Sequence, residues 1–157
     1  MRTLTLLLSL ILILILSFCA FFYVGGTLRA EVSCIAASAS EYPEAFFAVK
    51  DVLAAGNAPI RFTDDNLDDA ASCSLLDVNI LLTNRGIFAA EWLNIQPVGV
   101  EGDIAVYSLT GDGTDVPARS AGQVNLKYVT RAGSDVPRKL LIQYYVYGIS
   151  RTIEVEF

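Results

Sequence analysis

Histidine is missing from this 157-residue sequence, and methionine and tryptophan occur once each. Without histidine the chain cannot form a Ser-His or Cys-His nucleophile pair, nor a metal site with imidazole ligands. No glycine-rich phosphate loop follows a strand pattern, and no two carboxylates are marked as a catalytic pair. We therefore expect no catalytic residue, no cofactor and no metal site, and a protein that is not an enzyme.

Acidic residues are absent from the first 30 positions, because all 17 lie at or after Glu31. Nine of the 11 basic residues share that part of the chain, which carries a net charge of −8. An acidic domain repels a phosphate backbone, so we expect no nucleic-acid partner.

Charge is also missing from residues 4–24, which read LTLLLSLILILILSFCAFFYV. As a helix this run would rise about 31 Å, the thickness of the hydrocarbon core of a bilayer. We predict a signal-anchor transmembrane helix over residues 1–26 that contacts the membrane through residues 4–24. The N-terminus is then cytoplasmic and the C-terminal domain extracytoplasmic, at the cell membrane.

Two other interpretations of this segment stay open. A signal peptide cleaved after Ala30 would need residues 28–30, Leu-Arg-Ala, as its cleavage motif, and these match a small-x-small site poorly. A lipoprotein would carry its acyl chain on Cys19, but Phe18 stands where a lipobox has a small residue. Cleavage would turn the remaining chain into a secreted protein.

Residues 27–74 are predicted to form a stalk and an acidic connector around one helix. The small, mixed residues 29–40, RAEVSCIAASAS, suit a short stalk. Pro43 at a first helical position, Glu44 in the first turn and Gly56 as a stop predict a short amphipathic helix at about 43–55. The run TDDNLDD can form a short helix capped by Thr63.

The hydrophobic period changes to two after residue 74, which is typical of half-buried strands. Short alternating segments separated by turn residues predict an antiparallel immunoglobulin-like (Ig-like) β-sandwich of about six to seven strands over residues 75–157, including a hairpin about Tyr147-Gly148. The fold class is therefore mainly β, with an N-terminal transmembrane helix and one short amphipathic helix.

Two segments carry a resemblance to a known class of domain. Residues 77–86, DVNILLTNRG, resemble the strand followed by Asn-x-Gly that opens bacterial immunoglobulin-like modules of the cell-adhesion-related type. Residues 116–126, VPARSAGQVNL, are similar to their segment of proline, small residue and strand, although Ala118-Arg119 stands where that family usually has Pro-Gly. The resemblance covers residues 74–157 and implies an extracellular binding or spacer role.

Cysteines and acids supply further candidates. Cys34 and Cys73 are predicted to form a disulfide if the domain is exported, the alternative being two unpaired thiols. Calcium could be bound by the acids of residues 64–69 or by Asp112 and Asp115, but neither run has the spacing of a known calcium loop. The alternative, solvated surface acids, is favoured.

Aromatic side chains give the candidate partner or ligand surface. Tyr145 and Tyr147 share one face of a predicted strand, and Trp92 lies on the polar face of another. They could form a platform for a sugar or a protein. The other interpretation is that they lie under the helix at 43–55. The apolar face of that helix and the aromatic face of the strands would then cover each other.

These features predict a single-pass, membrane-anchored, extracytoplasmic and non-enzymatic binding or scaffolding module of the cell envelope, with a protein partner there. A carbohydrate- or calcium-binding module that uses the aromatic face or the acidic loops is the alternative hypothesis. A small hydrolase is the third.

Overall fold

The computed structural model describes residues 2–24, 27–133 and 135–157. Helix α1 spans Arg2–Val24, and the rest is a mainly β domain with one further helix. The predicted fold class is confirmed: two antiparallel sheets, an N-terminal apolar helix and one amphipathic helix.

Helix α1 follows from its composition, because residues 4–24 carry no charged side chain. Its span Thr3–Phe21 has a mean hydropathy of 2.9, and none of it is buried against the remaining chain. The hydroxyl of Ser9 donates a hydrogen bond to the carbonyl oxygen of Thr5 (2.9 Å) and so needs no water. By length and composition, α1 can cross a membrane.

In the described part of the chain, eight strands form the two sheets. The larger sheet has the order β1-β3-β6-β5-β2 and the smaller one the order β4-β7-β8, with every neighbouring pair antiparallel. Their bounds are β1 Leu28–Ser38, β2 Ile60–Arg61, β3 Ser74–Asn84, β4 Glu91–Val98, β5 Asp103–Thr110, β6 Ala121–Thr130, β7 Lys139–Val146 and β8 Ile149–Glu156.

The prediction of a stalk at residues 29–40 is wrong. Strand β1 pairs with β3 along its whole length, from Leu28 opposite Asn84 to Ser38 opposite Ser74. Its small residues give only weak alternation, because β1 is an edge strand and buries little more than Leu28. The sandwich therefore begins at Leu28, and residues 39–73 connect its first two long strands.

Helix α2 spans Pro43–Ala54, as predicted, with Pro43 in the first turn. Its buried residues Phe46, Val49 and Leu53 join a second cluster that contains Leu75 and Val129. These last two belong to β3 and β6, so α2 packs on the outer face of the five-stranded sheet.

The acidic connector does not form the helix predicted to follow Thr63. It runs without regular structure to a single 3₁₀ turn, Ala70–Ser72. The carboxylate of Asp69 caps this turn by accepting a hydrogen bond from the amide of Ala71 (2.9 Å). Asp65 pairs with Arg131 at 2.8 Å, which fastens the connector to the end of β6.

The main core lies between the sheets and follows the period of two. On β3 the side chains of Leu76, Val78, Ile80 and Leu82 are all fully buried or nearly so. They face an inward row on β7, consisting of Leu140, Ile142, Tyr144 and Val146.

A buried ion pair joins the sheets at the end where β5 begins. The guanidinium of Arg138 donates to both carboxylate oxygens of Asp103 at 2.9–3.2 Å. It also donates to the hydroxyl of Thr130 and to the carbonyl of Val136 (3.0 Å). Both charged side chains are almost fully buried, so each depends on the other for compensation.

Removing one partner of this pair should therefore be costly. We expect Arg138→Ala or Asp103→Ala to lower the free energy of unfolding by about 3–5 kcal/mol, because each leaves a buried charge unpaired. The double substitution should cost clearly less than the sum of the two. Chemical denaturation of the chain in detergent measures all three; strict additivity would contradict the coupling.

Candidate interaction surface at the helix-proximal end

One end of the sandwich lies beside α1 because of the pairing of β1. Strand β1 starts there, opposite the last residue of β3. The loops of residues 85–90 and 111–120 and the hairpin turn Tyr147-Gly148 lie at the same end, since the strands that they join end or begin there. We call this the helix-proximal end, and the opposite end, with α2 and the acidic connector, the distal end.

Trp92 projects from the start of β4. Its side chain is 73% exposed and its backbone is left-handed, with φ at 54°. The pairing of β4 with β7 is irregular between Glu91 and Asn94, which is a β-bulge. The amide of Trp92 donates to the carboxylate of Asp115 (2.8 Å), so the loop of residues 111–120 holds this conformation.

Tyr145 and Tyr147 lie on the neighbouring strand and its turn. Tyr145 is opposite Glu91 in the ladder, outward-facing and part-exposed. Tyr147 is 67% exposed and forms the hairpin turn with Gly148, both at positive φ (54° and 74°). Positive φ at both central residues is the geometry of a type I′ turn, and the predicted hairpin is confirmed.

Helix α2 does not cover these aromatic residues. It packs on the five-stranded sheet, whereas Trp92, Tyr145 and Tyr147 belong to the three-stranded sheet and its turn. The interpretation that they lie under the helix at 43–55 is wrong. The three predicted residues are brought to the same end of the same sheet as exposed side chains.

Phe88 is the residue of this surface that sequence reasoning missed. Its ring lies edge-on to that of Tyr147, with centroids 4.7 Å apart, and edge-on to that of Phe21 on α1 at 6.0 Å. An aromatic chain thus runs from the helix to the hairpin turn. Ile87 and Ile149, each more than 40% exposed, extend the apolar area. No local pattern around Phe88 indicates this role in the sequence.

Asn84 positions the loops of this end. Its buried side-chain amide donates to the carbonyl oxygens of Phe88 (2.8 Å) and Val116 (3.0 Å). Its side-chain oxygen accepts from the amide of Gly86 (2.9 Å). One side chain therefore ties the loop of residues 85–90 to that of residues 111–120, which explains why the strand ends at Asn84.

Backbone strain is concentrated at this end. Trp92, Arg119 and Tyr147 are the non-glycine residues with positive φ in the described part of the chain. A left-handed conformation costs an L-residue about 1–2 kcal/mol, and glycine avoids the cost. All three positions keep a large exposed side chain instead, so the strain is not explained by packing.

Two arginines complete the surface. Arg85 and Arg119 are exposed and line one open depression together with Ser120. Within the described residues neither guanidinium forms an ion pair. They are therefore available to an anion from outside the chain.

The prediction of a disulfide between Cys34 and Cys73 is wrong. Both Cys34 and Cys73 are free thiols. Cys34 pairs with Val78, while the carbonyl of Cys73 accepts from the amide of Ala39, five positions further along the chain. Five residues of strand span about 16 Å, whereas bridged cysteines need Cα atoms about 4–7 Å apart.

The acids of the calcium hypothesis have structural roles. Asp112 and Asp115 accept hydrogen bonds from the amides of Ile95 and Trp92, each at 2.8 Å. Asp65 and Asp69 hold the connector as described above. Among the described residues, no group of three or more acidic or cysteine side chains converges on a point where a metal ion could sit.

Comparison with known proteins gives no family. No protein-family model and no curated protein matches the chain. A structural genomics target designated SoR45 has 14% identity and a TM-score of 0.44, covering 83% of each chain. The yeast GGA1 GAE domain has 15% identity and a TM-score of 0.43, over 62% of this chain and 95% of that one.

A third structure, a FixG-related protein from Vibrio parahaemolyticus, has 11% identity and a TM-score of 0.36, over 82% of this chain and 94% of that one. At such identities and TM-scores, these likenesses carry no argument about family or function. The resemblance to cell-adhesion-related bacterial modules therefore stays a prediction, while the β-sandwich itself is established by the two sheets.

Trp92 offers a test of the strain at this surface. We expect Trp92→Gly to leave the free energy of unfolding unchanged or to raise it by about 1 kcal/mol, because glycine adopts positive φ without strain and little packing is lost. The control Tyr145→Gly, in regular strand geometry, should lower it by about 1 kcal/mol. Denaturant unfolding that showed a larger loss for Trp92→Gly than for Tyr145→Gly would contradict this account.

Proposed function

We propose that this protein is a single-pass, membrane-anchored, non-enzymatic binding or scaffolding module of the cell envelope, with its sandwich outside the cytoplasm. The observation that carries the proposal is α1: 19 consecutive residues, Thr3–Phe21, are strongly apolar, and none is buried inside the protein. A helix with an apolar surface all round needs an apolar environment, and a bilayer supplies one.

The strand order supports an immunoglobulin-like module. The order β1-β3-β6-β5 against β4-β7-β8 corresponds to the A-B-E-D and C-F-G sheets of a constant-type immunoglobulin domain, with β2 added at an edge. Such sandwiches serve unrelated functions, so the assignment to binding rests on the exposed aromatic side chains of the domain. The net charge of −8 after residue 30 supports the exclusion of nucleic acid.

A protein partner in the envelope is part of the proposal. The distal end offers Phe47, 62% exposed on α2, and Tyr42, 55% exposed just before it. Exposed aromatic side chains are enriched at protein interfaces. The sandwich would thus be held at the membrane by one end and present α2 at the other.

Topology is testable with the native cysteines. Cys34 is exposed on the sandwich, Cys73 is buried, and Cys19 lies within α1. We expect a membrane-impermeant maleimide to label intact cells at Cys34 alone, and Cys34→Ser to abolish the label. Labelling only after permeabilisation would place the sandwich in the cytoplasm and contradict the proposed orientation.

The same reaction should depend on pH in a defined way. Desolvation raises the pKa of the Cys34 thiol above its ordinary value. Because the thiolate is the reactive form, labelling near neutral pH should be slower than that of a small free thiol with an ordinary pKa. The rate should continue to rise at alkaline pH after that of the small thiol has levelled off. Coincident pH profiles would contradict the raised pKa.

The partner is testable by crosslinking in native membranes. A photoreactive phenylalanine analogue in place of Phe47 should give one defined adduct, identified by mass spectrometry. The same analogue in place of Thr152, exposed on β8, is the matched control. Equal adduct patterns at both sites, or no adduct at Phe47, would count against a partner bound through α2.

A further inference from the structure

The contact between Phe21 of α1 and Phe88 of the sandwich sets the distance between the helix-proximal end and the bilayer that α1 would span. Phe21 is the last residue of the apolar span, and its ring centroid lies 6.0 Å from that of Phe88. Strand β1 begins only four positions after the end of α1 at Val24. A helix that spans a bilayer as far as Phe21 therefore brings the loop of residues 85–90 to the boundary between acyl chains and headgroups.

The composition of this end suits that boundary. Tryptophan and tyrosine are enriched at membrane–water interfaces, where the ring contacts acyl chains and the polar group stays hydrated. Trp92, Tyr147 and Ile149 are 73%, 67% and 54% exposed at this end. The left-handed backbone of Trp92 and Tyr147 is a further sign that these two side chains are retained for contact rather than for stability.

Charged groups of both signs lie at the helix-proximal end. Arg85 and Arg119 line one depression at the helix-proximal end, where lipid phosphates would lie. Two acids of that end, Asp112 and Asp115, accept hydrogen bonds from backbone amides of β4, while Glu91 is exposed on the outer face of the three-stranded sheet. The run of aspartates in residues 64–69 lies at the distal end, fastened to Arg131.

We propose that the helix-proximal end rests on the bilayer that α1 enters. Trp92, Tyr147 and Ile149 insert at headgroup level, and Arg85 and Arg119 contact lipid phosphates. The sandwich then stands with α2 and the acidic connector away from the membrane. This inference rests on the proposed membrane span of α1, and it names the occupant of the aromatic surface.

The only tryptophan of the chain makes the contact measurable. The full chain is reconstituted into vesicles of phosphatidylcholine and phosphatidylglycerol, with bromine atoms placed either close to the headgroup or deep in the acyl chains. We expect the shallow bromines to quench Trp92 fluorescence about twofold more than the deep ones, and its emission to lie at shorter wavelength than in water.

Two matched variants, both carrying Trp92→Phe, separate the inference from the proposed anchor. In one, Phe47→Trp places the reporter on α2, where neither lipid should quench it. In the other, Ile11→Trp places it in the middle of α1, where the deep bromines should quench it most.

The outcomes are distinct. Quenching of the α1 reporter without quenching of Trp92 would overturn the inference and leave the anchor intact. A failure of deep bromines to quench the α1 reporter would overturn both. Equal quenching of Trp92 and the α2 reporter would mean that the sandwich has no preferred orientation, which also overturns the inference.

Charge reversal tests the arginines. The double substitution Arg85→Glu, Arg119→Glu should reduce shallow quenching of Trp92 by about half in vesicles that contain phosphatidylglycerol, because it repels anionic headgroups. Lys50→Glu on α2 is the control and should have no effect. An equal loss of shallow quenching in both variants, or no loss in either, would show that the two arginines do not contribute to the membrane contact.

Discussion

Strand β1 pairs with β3 over eleven consecutive residues, from Leu28 opposite Asn84 to Ser38 opposite Ser74. This ladder ties the end of α1 to one end of the sandwich, since only a short segment separates α1 from β1. It also places α2 over the five-stranded sheet, because the chain between β1 and β3 starts and finishes on that sheet. Within the described residues, α2 leaves the outer face of the three-stranded sheet uncovered.

Polar side chains set the geometry of both ends while apolar ones fill the middle. At the distal end, the carboxylate of Asp103 and the guanidinium of Arg138 meet between the sheets and are compensated by each other. At the helix-proximal end, the side chain of Asn84 donates to two backbone carbonyls and accepts from one backbone amide, and the carboxylate of Asp115 accepts from the amide of Trp92. Trp92 is held at positive φ by its hydrogen bond to Asp115, and Tyr147 by its place in the two-residue hairpin turn.

Much of the fold could be predicted from patterns within single segments of the sequence. The wrong predictions concern features that depend on pairing between distant segments. The alternation from Leu76 to Leu82, the proline start of α2 and the Tyr147-Gly148 turn are visible in single segments, and each is confirmed. Strand β1 was missed because an edge strand of small residues shows little alternation. The Cys34–Cys73 bond was wrong because the distance between two cysteines depends on register, which no single segment contains. Phe88 could not be found, because its contacts with Phe21 and Tyr147 join three separate parts of the chain.

In the arrangement that we propose, the aromatic residues and the ladder make α1 orient the sandwich as well as anchor it. A helix alone fixes only the distance of a domain from the membrane, and a flexible linker would let the sandwich tumble. Here the ring of Phe88 lies between those of Phe21 and Tyr147, so the helix end and the hairpin turn share one packed contact. Exposed apolar side chains and two arginines lie beside that contact, together with Glu91, Asp112 and Asp115, whereas the run of connector aspartates lies at the far end. In the proposed arrangement, hydrophobic insertion of the exposed aromatic side chains and repulsion of the connector aspartates from anionic headgroups favour the same orientation, with α2 away from the membrane.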